Sequence, residues 1–160
     1  MRVYFACSIR GGRADQPYYQ AIINLLKNYG TVLSEHFGDP NLDPNENAVP
    51  AGFADNSDQA IHDLDMKLIS EADVIVAEIT TPSLGVGYEI GYGENLGKKI
   101  LALHRENGLS RPSAMIAGSS KVTLKNYQEV TDLKPIFDEF FGLAAESTVS
   151  LGEGQVEENQ

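Results

Sequence analysis

The stretch Asp73-Val74-Ile75-Val76-Ala77-Glu78-Ile79 decides the fold that this sequence predicts. It is nearly continuous in apolar residues, which is typical of a strand buried on both faces of a parallel sheet. Residues 3–7, 31–35, 99–104 and 122–127 form four further short runs of this kind. Apolar residues recur at helical spacing between the runs, at 18–29, 58–70 and 133–141, and Gly30 is a plausible stop for the first helix.

Alternation of strands and helices predicts a five-stranded parallel sheet flanked by helices, an α/β fold of the flavodoxin-like or Rossmann-like kind. The length of 160 residues suits one domain, which we place at residues 1–143. Residues 144–160 form an acidic tail, poor in apolar residues, for which we predict disorder. The segment 38–57, rich in Pro, Asn, Asp and Gly, is long for a connection and is either a functional loop or disordered.

The charge of the chain argues against nucleic acid as a partner. The formal net charge is −11, and no stripe of Lys and Arg is visible, whereas binding to a phosphate backbone requires one. A small anionic ligand needs only two or three donors and stays compatible with this composition. The single cysteine, Cys7, excludes an intrachain disulfide and fits a cytoplasmic location, or a nuclear one in a eukaryote. We expect no signal peptide and no association with a membrane, because no apolar run approaches the ~20 residues that span a bilayer.

Ligands of open parallel sheets bind beyond the carboxyl ends of the strands, so the loops there should carry function. The first such loop is Ser8-Ile9-Arg10-Gly11-Gly12-Arg13. Its two glycines permit close approach of the backbone to a ligand, and its hydroxyl and guanidinium groups suit a phosphate. Taken alone, the segment is equally compatible with an ordinary turn between a strand and a helix, since it is neither a P-loop nor a GxGxxG motif.

Two carboxylates are candidates for chemistry. Glu89 follows the third loop, Thr80-Thr81-Pro82-Ser83-Leu84-Gly85-Val86-Gly87, at the predicted start of a helix. There the helix dipole is expected to lower its pKa and keep it ready to attack carbon, although a first-turn Glu can also serve the helix alone. Asp65 is four residues from both Ile61 and Ile69, so it shares their buried face, where it either has a catalytic purpose or makes a structural hydrogen bond.

Other functional groups give weaker patterns. His36 and His104 end predicted strands, where single histidines are more often incidental than catalytic. No set of His and Cys has the spacing of metal ligands, so we predict no metal and no cofactor. The sequence also lacks a G-x-S-x-G motif and any outline of a hydrolase triad.

Four segments together resemble one known family. They are residues 4–13 (YFACSIRGGR), 61–65 (IHDLD), 72–78 (ADVIVAE) and 82–89 (PSLGVGYE), and a later match is Ser113-Ala114-Met115-Ile116. The family is that of the 2′-deoxynucleoside 5′-phosphate N-hydrolases, the Rcl proteins, within the nucleoside 2-deoxyribosyltransferase superfamily. The resemblance covers roughly residues 4–141 and leaves the 38–56 loop and the tail unmatched.

The resemblance implies an enzyme that cleaves the N-glycosidic bond of 2′-deoxynucleoside 5′-monophosphates. Glu89 would form a covalent deoxyribosyl-enzyme, Tyr4 would orient Glu89, and Asp65 would lie near the sugar and base. Ser113 would reach the phosphate from the neighbouring subunit of a homodimer, so that the active site is shared. The substrate-binding residues would be Ser8, Ile9, Arg10, Gly11, Gly12, Ser83, Gly85, Ser113 and Met115.

The implied reaction has two steps, as in retaining glycosidases: Glu89 displaces the base, and water then releases 2-deoxyribose 5-phosphate. An Asp65 with a raised pKa would help protonate the departing base. Three alternatives stay open: a transferase that passes the sugar to a second base, a hydrolase of ribonucleotides such as CMP, and a nucleotide-binding module without catalysis. The pairing of Glu89 with Asp65 argues against the last, because phosphate binding alone has no use for nearby negative charge.

Overall fold

A computed structural model describes residues 1–43, 48–50, 56–107 and 110–143. The strands are β1 (Arg2–Ala6), β2 (Thr31–Val32), β3 (Val74–Glu78), β4 (Lys99–Arg105) and β5 (Val122–Tyr127). The helices are α1 (Gln16–Leu26), α2 (Asp58–Glu71), α3 (Leu84–Asn95), α4 (Ala114–Ala117) and α5 (Leu133–Phe141), with short 3-10 helices at Glu35–Gly38 and Val130–Asp132. No helix in these parts of the chain is long and apolar enough to cross a membrane.

The five strands form one sheet, parallel throughout, in the order β2-β1-β3-β4-β5. This is the flavodoxin-like order, and the single α/β domain predicted from the alternation of elements is confirmed. Every residue of β3 is buried, which explains its continuous apolar run. From β1 the chain passes to β2 on one side, and it then returns to add β3 on the other side of β1. The strand order therefore reverses between β1 and β3.

Helices cover both faces of the sheet. On one face α1 packs against α5, with the ring of Tyr29 edge-on to that of Phe137 at 5.6 Å. On the other face α3 lies so close to the sheet that a Cβ on Gly93 would stand 2.2 Å from Ile75 Cδ1. Because side chains alternate along a strand, Phe5 points towards α1 and Tyr4 points towards α2 and α3.

The structure corrects two predicted boundaries. Strand β2 ends at Val32 rather than at residue 35, because the Ser34 hydroxyl both accepts from the Phe5 amide and donates to the Phe5 carbonyl, each at 2.8 Å. Helix α1 ends at Leu26, four residues before Gly30. Gly30 is not the helix stop; a Cβ there would lie 2.2 Å from the Met1 carbonyl oxygen, so the position requires glycine for close approach.

Two predictions concern parts of the chain that are wholly or partly undescribed. The acidic tail, 144–160, lies outside the described residues, and so does most of the 44–55 part of the long loop. The structure describes residues 48–50 of that loop, where Ala48 and Val49 are buried. The assignment of residues 1–143 as the catalytic unit stays a prediction.

Candidate active site

A cavity of about 510 Å³ lies beyond the carboxyl ends of β1 and β3, where the strand order reverses. This is where an open parallel sheet is expected to bind its ligand. The first loop forms one wall and the start of α3 forms another, while α2 and the 3-10 helix close the sides. The cavity is lined by Cys7, Ile9, Arg10, Gly11, Phe37, Ala48, Ile61, Asp65, Pro82, Ser83, Leu84, Gly85, Val86 and Glu89.

Glu89 projects into this cavity from α3 and is held from beneath by Tyr4. The Tyr4 hydroxyl donates a hydrogen bond of 2.7 Å to Glu89 Oε1, and the tyrosine itself is completely buried in β1. Burial raises the pKa of Tyr4 well above its usual value, and the charges of Glu89 and Asp65 raise it further. Tyr4 therefore stays a neutral donor to the carboxylate at ordinary pH.

Glu89 lies deeper in the helix than the sequence suggested. Helix α3 begins at Leu84, because Ser83 caps it by accepting a hydrogen bond of 3.4 Å from the Val86 amide. The residues of the third loop after Ser83 thus form the first turn of α3, in spite of two glycines. Glu89 falls in the second turn, beyond the strongest influence of the helix N-terminus.

The expectation of a lowered pKa for Glu89 is wrong. Burial raises its pKa to about 8, the negative charge of Asp65 adds to this, and the hydrogen bond from Tyr4 acts in the opposite direction. Desolvation outweighs the dipole because the carboxyl lies inside the cavity rather than at the exposed first turn. At a pKa of about 8 most of Glu89 is protonated near pH 7 in the free protein.

Asp65 points inward from α2, as its helical spacing predicted, and lines the same cavity as Glu89. Burial raises the pKa of Asp65 to about 6, against the opposing effects of Tyr4 and His62. The expected raised pKa is therefore confirmed. His62 and Asp63 point away from the core, with exposed side chains whose ring nitrogen and carboxylate lie 3.0 Å apart.

The first loop approaches the third loop closely at Gly11, and its next residue, Gly12, has a conformation that favours glycine. A Cβ on Gly11 would lie 2.7 Å from Ser8 Oγ and 3.0 Å from the Pro82 carbonyl oxygen, so no larger residue fits without displacement. Gly12 adopts a φ of 127°, a backbone conformation that favours glycine. Ile9, Arg10 and Gly11 line the cavity.

The polar residues of the first loop occupy different positions. Arg10 lines the cavity and pairs with Asp58, at the start of α2, with 2.8 Å between Nη1 and Oδ1. Both side chains are exposed, so this ion pair contributes little to stability. Ser8 is fully buried beneath Gly11, and its hydroxyl has no hydrogen-bond partner within the described part of the chain. Arg13 turns outward to the Phe37 and Asp39 carbonyls.

Ser83 and Gly85 stand on the opposite wall, at the N-terminus of α3. The amide groups of the first turn of a helix carry partial positive charge and lack partners within the helix. Together with Arg10 they make this end of the cavity suitable for a phosphate, although the protein as a whole is acidic. The two carboxylates, Glu89 and Asp65, line the same cavity and lie against Tyr4.

The structure does not bring Ser113 and Met115 to Glu89 within one chain. They line a neighbouring cavity of about 580 Å³, which shares Pro82, Ser83, Leu84 and Val86 with the first. Ser113 caps the short helix α4 by accepting from the Met115 amide at 3.3 Å. Ile116 packs against the core, but Met115 is 85% exposed, and Leu84 across the cavity is 96% exposed.

Seven of the described residues that line the cavity were not among the predicted site residues: Cys7, Phe37, Ala48, Ile61, Pro82, Leu84 and Val86. Phe37 comes from the 3-10 helix and sets its ring edge-on to Tyr4, with 6.3 Å between centroids. Ile61 was recognised only as part of a buried helical face. Cys7 is a buried thiol, and burial raises its pKa well above its usual value.

The remaining candidates lie elsewhere. His36, which lies in the 3-10 helix rather than at the end of β2, and His104, near the end of β4, do not line the cavity. Burial lowers the pKa of His36 to about 4. In the described ranges of the chain, no cluster of three His, Cys, Asp or Glu side chains could hold a metal ion.

The sequence of this chain is similar to one protein family and to several of its characterised members. Residues 3–144 match the family model described as nucleoside 2-deoxyribosyltransferase. A protein of Rattus norvegicus named 5-hydroxymethyl-dUMP N-hydrolase is 44% identical over 142 residues, which cover 87% of this chain and 83% of the rat protein. A protein of Esox lucius with the same name is 43% identical over 145 residues, covering 88% of this chain and 96% of the other.

A solved structure shares the fold. The CMP N-glycosidase BcmB of Clostridium botulinum superimposes with a TM-score of 0.57 and 22% sequence identity, over 88% of this chain and 99% of the other. At that identity the similarity supports the architecture rather than the chemistry.

Proposed function

The chain belongs to the nucleoside 2-deoxyribosyltransferase family, and on that premise we propose that it is an N-glycosidase that hydrolyses 2′-deoxynucleoside 5′-monophosphates to the free base and 2-deoxyribose 5-phosphate. The observation that carries the proposal is the arrangement of Glu89, Tyr4 and Asp65 at one end of a cavity whose other end suits a phosphate. The relatives named 5-hydroxymethyl-dUMP N-hydrolase make that nucleotide the first substrate to test.

In the first step a carboxylate oxygen of Glu89 forms a bond to the anomeric carbon while the bond from that carbon to the base breaks. The Tyr4 hydroxyl, 2.7 Å from Oε1, holds the carboxylate in place and favours its ionised form. Asp65, with a pKa raised to about 6, donates a proton to the departing base. The product of this step is a deoxyribosyl ester of Glu89.

In the second step water attacks the same carbon, and the ester bond to Glu89 breaks. Asp65, now a carboxylate, accepts the proton that water loses, which restores both residues to their starting states. In the free protein the pKa of Glu89, about 8, lies above that of Asp65, about 6, so the proposed division of roles requires a proton to move from Glu89 to Asp65 when the substrate binds.

The 5′-phosphate would bind between the first loop and the N-terminus of α3. Arg10 would exchange its pairing with Asp58 for the phosphate, and Ser83 and the amides near Gly85 would complete the contacts. Ser8 lies buried beneath Gly11, so it would contact the phosphate through its backbone, or through its hydroxyl after the first loop moves.

We include a homodimer in the proposal, with Ser113 and Met115 of one copy reaching the phosphate end of the other. Ser113 is separated from Glu89 within the chain but lies in the adjoining cavity, next to the exposed side chains of Met115 and Leu84. A second copy would cover this apolar face, and twofold symmetry would complete both sites at once.

Complementation tests the shared site. A Glu89→Ala chain mixed with a Ser113→Ala chain, under conditions of subunit exchange, should give heterodimers that have one intact site. Their activity should exceed that of either variant alone. An active protein that sediments as a monomer, or mixtures that show no recovery although Ser113→Ala is impaired, would contradict the shared site.

A panel of substrates tests the proposed reaction. Deoxynucleoside monophosphates, including 5-hydroxymethyl-dUMP, are compared with their ribose and unphosphorylated counterparts, and the released base is resolved by chromatography. We expect the highest kcat/KM for the deoxy monophosphates, because loss of two charge-assisted hydrogen bonds to phosphate lowers kcat/KM by about 100-fold or more. A second free base in the mixture distinguishes transfer from hydrolysis, and accumulation of a new nucleotide would make the protein a transferase.

A cytoplasmic location completes the proposal and is supported by the free thiol of Cys7, which suits a reducing compartment.

A further inference from the structure

A second cluster of polar side chains lies on the face of the sheet opposite Glu89, at the same carboxyl edge. The central residue of this cluster is Asp15, which occupies the N-cap position of α1 and is only 7% exposed. One carboxylate oxygen accepts from the Arg105 guanidinium, at the end of β4, and the other accepts from Thr81 Oγ1 at 2.8 Å. The guanidinium also lies 4.1 Å from the centre of the Tyr18 ring.

The same cluster fixes the backbone just before Thr81. Glu78, the last residue of β3, accepts hydrogen bonds from the Thr80 hydroxyl and, at 3.1 Å, from the Tyr127 hydroxyl. The Thr80 hydroxyl in turn accepts from the Arg105 amide at 2.7 Å, and Ser110 donates to the Thr80 carbonyl at 3.1 Å. Residues 80 and 81 are therefore held by side chains from several elements.

This cluster adjoins the cavity without forming its wall. Among the described residues, the wall of the Glu89 cavity includes neither Asp15 nor Thr81. Thr81 is nevertheless followed at once by Pro82, whose carbonyl packs against Gly11, and then by Ser83, which caps α3. Asp15 stands at the other end of the first loop, where α1 begins.

We propose that Asp15 is a positioning residue that fixes the first loop relative to the third loop through its hydrogen bond to Thr81, and so sets the spacing of the two walls that hold the 5′-phosphate. Arg105 holds the carboxylate in place for that task. The inference rests on the proposed function, since it assigns the phosphate to the space between these loops. The two oxygens of the buried Asp15 carboxylate accept from Arg105 and from Thr81. Two such bonds restrain the position of the first loop against the third loop more closely than a single ion pair does.

Two substitutions at Thr81 isolate the bridge. Thr81→Val keeps the size and branching of the side chain but removes the hydroxyl that Asp15 accepts from, whereas Thr81→Ser keeps the hydroxyl. We expect Thr81→Val to raise KM for a deoxynucleoside monophosphate by about tenfold or more while kcat changes less, because displaced binding groups lose much of their effect. Thr81→Ser should restore KM to within about threefold of the wild type.

The unphosphorylated deoxynucleoside provides the specific readout. Thr81→Val should leave its kcat/KM within about twofold, because that substrate makes no use of the spacing between the loops. Binding of inorganic phosphate, followed by its effect on thermal unfolding, should weaken in Thr81→Val and recover in Thr81→Ser. Asp73→Asn is a control for the loss of an ion pair away from the site: Asp73 pairs with Arg2 at 3.1 Å, with both side chains exposed, at the amino end of the sheet.

The outcomes separate this inference from the proposed function. A wild type that cleaves no monophosphate overturns the proposed function itself. A wild type that cleaves them, with a Thr81→Val variant whose KM and phosphate binding are unchanged, overturns the bridge alone. Equal losses on phosphorylated and unphosphorylated substrates, or losses as large in Asp73→Asn, would show a general effect on folding and would also overturn the bridge.

Discussion

The hydrogen bond from Tyr4 to Glu89 allows a prediction of size as well as direction. Tyr4→Phe removes a buried donor that lies 2.7 Å from Glu89 Oε1 and that lowers the pKa of Glu89. A hydrogen bond to a charged group contributes about 1.5–3 kcal/mol, and one pKa unit corresponds to about 1.4 kcal/mol, so the pKa of Glu89 should rise by about 1–2 units. The nucleophile needs the deprotonated form, which is present above the pKa.

The rate follows from that shift. With a pKa of about 8, roughly a tenth of Glu89 is ionised near pH 7 in the free protein. A rise of about 1–2 units reduces that fraction by about 10- to 100-fold, and kcat/KM, which reports the free enzyme, should fall by the same factor. The deficit should narrow as pH rises, because the wild type approaches full ionisation first.

The assay is the pH profile of kcat/KM for the best deoxynucleoside monophosphate, in wild type and Tyr4→Phe. Tyr29→Phe is the matched control, since the hydroxyl of Tyr29, three residues after α1, donates a hydrogen bond of the same length, 2.7 Å, to Asp138 in α5. Tyr29→Phe should leave the profile unchanged. A Tyr4→Phe profile that is lowered equally at every pH, or not lowered at all, would refute the claim that Tyr4 acts by favouring the ionised form of Glu89.

Three further predictions follow from other contacts. Asp65→Asn should move the acid limb of kcat/KM to lower pH, because it removes a negative charge that raises the pKa of Glu89, and it should lower the plateau by about 10²-fold or more through loss of the proton donor; a limb that stays in place would contradict the coupling. Gly11→Ala should lower the free energy of unfolding by about 1–3 kcal/mol, measured in urea, because its Cβ would stand 2.7 Å from Ser8 Oγ; an unchanged value would show that the loop relaxes freely. Burial raises the pKa of Glu78 in the fold to about 7 from 4.5, so its contribution to stability is complete below about pH 4.5 and is lost as pH rises through about 7, and Glu78→Gln should reduce the loss of stability between pH 5 and 8 by about 1 kcal/mol or more; equal pH dependence in both proteins would contradict this.

The elements that the sequence predicted well are those that local pattern determines. The buried run at β3 fixed the sheet type, and helical spacing placed Asp65 on an inward face. The prediction of element boundaries fails where a single side chain competes with the backbone pattern. In β2 the Ser34 hydroxyl makes hydrogen bonds to Phe5 in place of the backbone bonds of the strand. The sequence favours a strand through residue 35, but strand propensity carries no sign of the hydrogen bonds between Ser34 and Phe5.

The electrostatics of the site could not be predicted for a related reason. The sequence placed Glu89 near a helix N-terminus, which favours a low pKa, but burial depends on how α3 packs over Tyr4 and Asp65. The roles of Phe37 and Asp15 depend on contacts between residues far apart in the chain, such as Phe37 with Tyr4 and Asp15 with Thr81, which lies 66 positions further on. No local pattern marks such pairs.

The central claim is that Glu89 is the nucleophile in the hydrolysis of deoxynucleoside monophosphates. The most direct measurement is the release of free base and 2-deoxyribose 5-phosphate from 5-hydroxymethyl-dUMP and the common deoxynucleoside monophosphates, by the wild type and by Glu89→Gln. We expect equal amounts of both products from the wild type, and a rate lower by about 10³-fold or more in Glu89→Gln, with substrate binding retained. Turnover near the wild-type rate in folded Glu89→Gln, or no release from any monophosphate by the wild type, would contradict the account.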